Sequence, residues 1–519
     1  MKIYFVRYLD LNLSCLLYEG EYSSVCNAST VDFNEIVTDT SKIAEGCVFI
    51  CLRGTKYNTH KILPFIESKG VSAIIVEEGE SYEASLSVPI FSVKSTRRAL
   101  AFAYARFFGN PQDVLRIIGI TGTNGKTSSS YILRSVLRSA GYRVGLIGTV
   151  ECLIEERSYS LPDNTQTADK LKTMTTPDPE ILYKILRQMA DEKIDFVIME
   201  VSSHALAQQK TSPIFFEVGI FTNLSPEHLD YHKDMESYMK AKAELFKSCK
   251  YGVFNADNSY SERIISESSC EVIRCSVAGE SDFYASNVKL LGSRGVEYLY
   301  CGENIRMQLK SKMPAVFTVY NSLLAITAAL KLGISPDCAR EALYHMKSVS
   351  GRMERISLGL EDDEFSVFID YAHTETALRN ILTTVRSIRH GNERIVLLFG
   401  CGGNRDRSKR APMGRAAEEL ADFTIITSDN SRNENPKQII KDILEGMHDI
   451  NRRRVIMNRR AAIEYAIINA KKNDIIVLAG KGHELYRIDK NGEYFFDERK
   501  IVSDALEKRR NGDNKINEN

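Results

Sequence analysis

The residues best equipped for chemistry are Lys126 and Thr127, at the end of the run Ile118–Ser128, I-G-I-T-G-T-N-G-K-T-S. Glycines at 122 and 125 let the backbone bend, so that successive N–H groups along Gly122, Thr123, Asn124, Gly125, Lys126, Thr127 and Ser128 point inward at an anion. The helix that follows adds its partly positive end, Lys126 adds a full charge, and the Thr127 hydroxyl can ligate Mg²⁺. This is the chemistry of triphosphate binding. The run is not a strict G-x-x-x-x-G-K-[ST] match: the position six before Lys126 is Ile120, and the glycine lies one earlier, at Gly119.

Three other places carry reactive groups. Glu200 ends an apolar strand, Phe196–Val201, and a carboxylate there, in the same sheet as a phosphate loop, is a usual Mg²⁺ ligand; a capping or surface acid is the plainer alternative. In Pro226–His232, P-E-H-L-D-Y-H, the spacing of His228 and His232 suggests zinc, but no nearby Glu and third ligand complete such a site. Met235, Met239, Lys242 and Phe246 recur at helical spacing, so Lys242 falls on the inward stripe while Lys240 and Lys247 lie off it. An inward lysine is neutralised or paired with an acid; as a free amine it can take up CO₂ to form an anionic carbamate. A lysine that snorkels to solvent is the alternative.

Elements that could position these groups follow from periodicity. Strands are expected at Cys47–Leu52, Ala73–Glu78 and Pro89–Val93, closed by a helix over Arg97–Phe108 and a break at Gly109-Asn110-Pro111. A second set opens with the strand Val114–Ile120 and the phosphate loop and continues at Val144–Gly148, Phe196–Val201, Val218–Leu224 and Gly252–Asn255. A third contains strands Phe365–Asp370, Ile395–Phe399, Phe423–Thr427 and Ile475–Leu478, with helices near Thr374–Arg389, Ala411–Leu420, Pro436–Met447 and Arg460–Ala470. Strands separated by helices predict an α/β protein of three domains, 1–111, 112–350 and 351–519, with ligands at the C-terminal ends of parallel strands. The polar tail Glu507–Asn519 is expected to fray.

Composition excludes several classes. Lys+Arg and Asp+Glu both total 68, so no basic field argues for nucleic acid. The 43% hydrophobic and 26% charged content suits a soluble globular chain, and no apolar run or leader suggests membrane insertion. Eleven scattered cysteines without a paired framework read as reduced, mostly buried thiols, which with the other features predicts a cytoplasmic protein.

Taken in order, GTNGKT, EVSSHAL, NLSPEHLDYH, AKAELF, VYNSLLA, GRMERI, DYAHT, FGCGGNRDRSKR and AGKGHE resemble the Mur ligases, most of all those that add the third residue of the peptidoglycan stem peptide. The resemblance implies a central P-loop parallel-sheet ATPase domain, an α/β N-terminal UDP-sugar domain and a Rossmann-like C-terminal domain. It implies ATP-dependent amide formation through an acyl phosphate, with Mg²⁺ as cofactor. Lys126, Glu200, His228 and Lys242 would be catalytic, with Thr127, Glu200, His228 and a carbamylated Lys242 holding metal. Asn321, Arg352 and Asp370 join the loop as ATP contacts, clasped between domains that close; Thr318 stands where the family has a further Asn. His204 and His232 remain structural.

The same resemblance assigns Thr40, Thr175, Thr176, Ser202, Gln208 and Lys210 to the UDP-MurNAc-peptide, with Ser41 in place of a family arginine, Lys210 in place of another, and a uridine-side loop at Thr55–Tyr57. Arg405, Asp429, Asn430, Ser431, Arg432, Gly480 and Glu484 would bind the amino acid. Arginine suits the distal carboxylate of meso-diaminopimelate and Asp or Glu its ammonium; Ser431 replaces a family proline and Asn404 an Asp. The implied partners are ATP, UDP-MurNAc-dipeptide and an amino acid, acted on by a monomer. The alternatives are L-lysine or another amine, a folylpolyglutamate- or cyanophycin-type ligase, and a paralogue with altered acceptor or weak catalysis.

Overall fold

Apolar strands that read as near-continuous Val, Ile and Phe runs are those of parallel sheets buried on both faces, and the computed structural model of the chain contains three such sheets. It describes residues 22–24, 31–54, 57–80, 86–159, 174–357, 364–389, 391 and 393–511. Contacts divide the chain into one unit of Met1–Cys275 with Thr327–Ile334 and another of Ser276–Ile326 with Ser335–Asn519.

The first unit holds two sheets. Strands β1 (Tyr22–Ser24), β2 (Ile36–Val37), β3 (Val48–Ile50), β4 (Ala73–Glu77) and β5 (Ile90–Val93) run in the order β1-β5-β4-β3-β2, parallel except for β1. The helix Thr96–Phe107, capped by Ser95, follows, and the chain turns at Gly109 and Asn110, both at positive φ. The larger sheet is built from β6 (Arg116–Thr121), β7 (Val144–Ile147), β8 (Cys152–Ile154), β9 (Arg157–Ser158), β10 (Phe196–Glu200), β11 (Phe216–Phe221), β12 (Cys249–Asn255) and β13 (Glu271–Ser276). Its order is β13-β12-β11-β6-β10-β7-β8-β9, parallel from β13 to β7. Strand β6 is therefore central, flanked by β10 and β11, and Ile120 pairs with Glu200. That register brings the phosphate loop beside the carboxylate expected to serve it.

In the second unit, β14 (Phe283–Leu290), β15 (Val296–Gly302) and β16 (Ile305–Ser311) form an antiparallel meander with the helix Pro336–His345 against it. Its main sheet comprises β17 (Glu354–Ile356), β18 (Ser366–Asp370), β19 (Ile395–Phe399), β20 (Phe423–Ile426), β21 (Arg453–Val455) and β22 (Ile475–Ala479), ordered β17-β18-β22-β19-β20-β21. All neighbours are parallel except β17 and β18. Helices cover both faces, giving two apolar layers.

Most expected elements are present within a residue or two. The strand expected from Val114 begins at Arg116, with Val114 exposed, and the tail expected to fray from Glu507 is helical through Arg510. Residues 512–519 lie outside the described residues. The helix Glu498–Arg510 is anchored by a buried pair: Arg459 and Glu498 are both fully buried, with Arg459 Nε 2.7 Å from Glu498 Oε1 and Nη2 donating to Ala479 O at 2.9 Å. Glu498→Ala strands a guanidinium in the core and should destabilise the protein by about 3–5 kcal/mol in denaturant melts, whereas Arg459→Met/Glu498→Met should recover most of that loss.

Candidate active site

The phosphate loop leaves β6 and enters the helix Lys126–Ser139 through Gly125 at φ +86°. Gly122 has φ +152°, and a Cβ there would overlap Thr222 Oγ1, so the bend requires glycine. Not every loop amide faces the bend as expected. Thr123 N donates to Asn223 O at 2.9 Å, Asn124 N to Asn223 Oδ1 at 3.0 Å, and Asn223 Nδ2 returns a bond to Asn124 O. Lys126 Nζ caps the carbonyls of Gly122 (2.8 Å) and Thr123 (2.9 Å), folding its charge over the loop.

Glu200 is fully buried at the end of β10. Thr127 Oγ1 donates to its Oε2 at 3.0 Å and Thr149 Oγ1 at 2.9 Å, while Thr149 N reaches Oε1 at 3.3 Å. Thr149 Oγ1 also lies 3.0 Å from Thr175 Oγ1. Thr176 Oγ1 donates to Glu200 O at 2.9 Å and accepts from Ser202 N, and Ser202 caps the short helix Ser203–Ala207. Thr127 and Thr149 thus grip the Glu200 carboxylate, Thr175 adjoins it through Thr149, and Thr176 and Ser202 sit on its backbone side. Carboxylate and hydroxyl oxygens are the hard donors Mg²⁺ prefers, so this pair fits that ion. Among the described residues no group of three or more His, Cys, Asp or Glu is arranged for a metal, so a cation here would rely on hydroxyl and substrate oxygens too.

Lys242 lies on the helix Met235–Ala243 and is 1% exposed, as its helical spacing predicts. Burial, with the Lys126 charge adding to it, holds its amine well below the usual lysine range, and its Nζ lies 4.6 Å from the Tyr238 ring centroid. His228 occupies a left-handed position (φ +56°) and its side chain is half exposed. His204 stands edge-on to it at 5.1 Å between ring centroids. His232 packs on Tyr238 and lies 2.9 Å from Ser203 Oγ, the structural role expected of it. His228 can offer a nitrogen to a metal; Lys242, as a carbamate, would offer oxygens.

A cavity of about 220 Å³ in the same unit is lined by Thr38, Asp39, Lys42, Arg97, Gln208 and Lys210, among others. Thr40 opens the single turn Thr40–Lys42 beside it. Asp39 accepts from both the N–H (2.9 Å) and hydroxyl (2.8 Å) of Ser41, so the residue replacing a family arginine is tied to its neighbour. Lys210 pairs with Asp178 at 2.7 Å, and Gln208 donates to Tyr231 OH at 3.4 Å. Of the Thr55–Tyr57 loop, residues 55 and 56 lie outside the described residues, and Tyr57 is exposed.

In the second unit Asp370 accepts from Met353 N (2.8 Å) and Ala372 N (2.9 Å), and burial raises its carboxyl. Arg352 lies over the Tyr371 ring. Asn321 is buried on the helix Val316–Lys331, and Thr318 on the same helix bonds back to Pro314 O at 2.8 Å. Asp429, Asn430, Gly480 and Glu484 do come together: Asn430 Nδ2 donates to Glu484 Oε2 at 3.0 Å, and a Cβ at Gly480 would lie 2.8 Å from Asp429 Oδ2. Burial raises the Glu484 carboxyl; at Asp429 burial is outweighed by Lys481 and Arg459, which hold its carboxyl low. Arg432, at φ +50°, donates to Gly403 O at 3.0 Å, Ser431 is buried, and Arg405 is exposed on its loop.

Four residues central to this geometry do not stand out in the sequence. Thr149 follows a strand-ending glycine and grips Glu200; Asn223 follows β11 and clamps the loop. Lys481, fully buried, donates to Asn430 Oδ1 (2.9 Å) and Tyr486 O (2.7 Å). Arg410 bonds Glu434 and Asp442, each at 2.8 Å, tying the loop after β19 to the one after β20. Lys481 sits inside AGKGHE and Arg410 closes NRDRSKR, so the signal that could have found them was their place within those motifs.

The chain matches the Mur ligase middle domain over residues 120–329 and the Mur ligase glutamate ligase domain over 351–482. It is 38% identical to UDP-N-acetylmuramoyl-L-alanyl-D-glutamate–2,6-diaminopimelate ligase 1 of Clostridium acetobutylicum, covering 96% of this chain and 99% of that protein. A ligase of the same description from Caldanaerobacter subterraneus subsp. tengcongensis is 39% identical, covering 94% and 98%. A solved structure of such a ligase superimposes with a TM-score of 0.68 at 28% identity, over 97% of this chain and all of that one.

The histidine cluster makes stability depend on pH. Burial lowers His232 to about 4 from an ordinary 6.5, with His204 and Lys242 adding to it. Between those values the unfolded chain binds a proton that the folded chain refuses, so stability falls as pH drops through the window and is unaffected above it. In urea melts at about pH 7.5 and about pH 5, His232→Gln should show a smaller loss on acidification than the unaltered protein.

Proposed function

This chain belongs to the Mur ligase family, and we propose that it joins meso-diaminopimelate to the D-glutamyl side-chain carboxylate of UDP-N-acetylmuramoyl-L-alanyl-D-glutamate, converting ATP to ADP and phosphate, in peptidoglycan synthesis. The observation that carries this reading is the phosphate loop seated against a buried Glu200 whose carboxylate is held by Thr127 and Thr149.

A carboxylate is a poor electrophile, so the γ-phosphoryl group first moves to it, giving an acyl phosphate. The amine attacks that carbonyl and phosphate leaves from the tetrahedral intermediate. Lys126, released from the Gly122 and Thr123 carbonyls, supplies positive charge to the travelling phosphoryl. Mg²⁺ held by Thr127 and Glu200 would neutralise phosphate charge when bound. Lys242, whose buried setting favours the unprotonated amine, can add CO₂ with loss of a proton; the resulting carbamate would join His228 as an anionic partner near the reacting groups. Gln208, Lys210, Thr175, Thr176 and Ser202 orient the acceptor, with Thr40 on its nucleotide-sugar side. Asn321, Arg352 and Asp370 contact ATP, and Asp429, Asn430, Glu484, Arg432 and Arg405 bind the amino acid.

We place the domain limits at 1–111, 112–350 and 351–519, and the protein in the cytoplasm as a monomer acting on small molecules.

With ATP, Mg²⁺ and UDP-MurNAc-dipeptide, the purified chain should release phosphate only when meso-diaminopimelate is added. Release with L-lysine instead overturns the amine assignment, and silence with every amine favours a paralogue that binds the nucleotide-sugar without turnover. In the same assay Lys242→Ala should lose about a hundredfold or more in turnover and recover part of it with short carboxylic acids, since one charge stabiliser is commonly worth that much. An unchanged rate would remove the carbamate from the mechanism.

A further inference from the structure

Two thiols outside the ligase machinery are paired. Cys249 begins β12 and is 5% exposed; Cys270 immediately precedes β13 and is half-buried. The parallel register matches Tyr251 with Glu271, so Cys270 runs beside Lys250, one residue from Cys249. Strand spacing and rise then separate the two Cα atoms by about 6 Å, within disulfide reach. Gly219 and Gly252, themselves partners across β11 and β12, leave room for the sulfurs: a Cβ at Gly219 would lie 3.1 Å from Cys249 Sγ, and one at Gly252 2.5 Å from Cys270 Sγ. Each thiol is the foremost influence on the acidity of the other.

We propose that Cys249 and Cys270 form a peroxide-reactive dithiol, with Cys270 the attacked thiolate and Cys249 the resolving thiol. The roles follow from the asymmetry of the pair. Cys270 is the more exposed of the two, and Cys249, with Ser268, lowers its thiol despite partial burial, while Cys270 and burial push Cys249 up. By contrast burial, with Glu80 and Glu151 adding to it, pushes Cys51 and Cys152 up to about 12. A low, partly accessible thiolate beside a second thiol is the arrangement that reacts with hydroperoxides. The Cys270 thiolate attacks one peroxide oxygen, breaking the O–O bond and releasing hydroxide, to give Cys270–SOH. Cys249 then attacks that sulfur; the S–S bond forms, the S–O bond breaks, and the Cys249 proton leaves with the departing hydroxide as water.

The site stands apart from the substrate assignments. It meets the catalytic region through the sheet and shared apolar packing, with Ser269 N donating to Phe246 O at 3.0 Å just beyond the helix of Lys242.

The test is peptide mapping of the fully reduced, full-length chain after stoichiometric hydrogen peroxide and alkylation of the remaining thiols. A peptide linked through residues 249 and 270 is the expected main product. Cys338, the other half-buried cysteine among the described residues, is the internal reference. At about pH 7, Cys270 should react with iodoacetamide faster than Cys338, by about twofold or more, since the thiolate is the reacting form. In Cys249→Ala, dimedone should trap a sulfenic acid on Cys270. Oxidation of Cys338 or another cysteine while the pair stays reduced, or equal alkylation of Cys270 and Cys338, overturns the proposal. The mapping and alkylation use the unaltered chain, so they decide the matter even where the variant fails to fold.

Discussion

A carboxylate with no exposed surface is tolerated in a protein only when its oxygens are satisfied, and Glu200 is the point around which the first unit is organised. Its Oε2 accepts hydroxyls from two different connections, Thr127 at the start of the loop helix and Thr149 after β7; its Oε1 accepts from Thr149 N, and its backbone carbonyl receives Thr176. Three segments far apart in sequence are thereby registered on one side chain. The parallel pairing of β10 with β6 makes this possible, because it delivers Glu200 and the phosphate loop to the same edge. Gly148 completes the constraint, since a Cβ there would collide with the carboxylate.

The cluster around Asp429 and Glu484 in the second unit, proposed to bind the amino acid, meets a related problem with full charges. Lys481 and Arg459 are fully buried against Asp429, Glu484 and Glu498. Two cations face three carboxylates, and burial raises the Glu484 carboxyl although Lys481 opposes that rise. Under the proposed function an incoming ammonium supplies the missing positive charge. Asn430 is oriented by the same network: its carbonyl oxygen accepts from Lys481 and from Ile488 N, which leaves its amide to donate to Glu484. The serine that replaces proline beside it does not leave the loop slack, because Arg410 and Glu434 bind that loop to its neighbour and Gly403 N donates to Asn430 O at 2.9 Å.

Legibility in the sequence tracks locality. The phosphate loop, the central strands and the inward face of Lys242 are readable because each depends on spacing within one element. The loop amides of Thr123 and Asn124 are not, since their partner Asn223 arrives from another strand, and nothing in the local run distinguishes an amide aimed at an anion from one bonded to a side chain. Thr149 is hidden for the same reason: a threonine after a strand is ordinary until the sheet order puts it beside Glu200. The meander β14–β16 lacks the helix-separated pattern that reveals the other strands. Lys481 and Arg410 sit in motifs whose meaning depends on buried partners more than twenty residues away in sequence.

The electrostatics near Lys242 constrain the chemistry more tightly than the family resemblance does. Lys242 is buried, Lys126 opposes its charge, and among the groups that act on it only Glu227 favours the ammonium. His204 is likewise held low by burial and His228, and His232 by burial and His204, so these groups resist a further proton. A site with that bias is poorly suited to a resident cation on a side chain and well suited to anions. Phosphate and a substrate carboxylate are anions, and CO₂ addition would turn the lysine itself into one. Each lowers the energy of the surrounding positive and desolvated groups, whereas a protonated Lys242 raises it. Thus the burial that makes the lysine unfavourable as an ammonium is the same property that makes it available as a nucleophile toward CO₂.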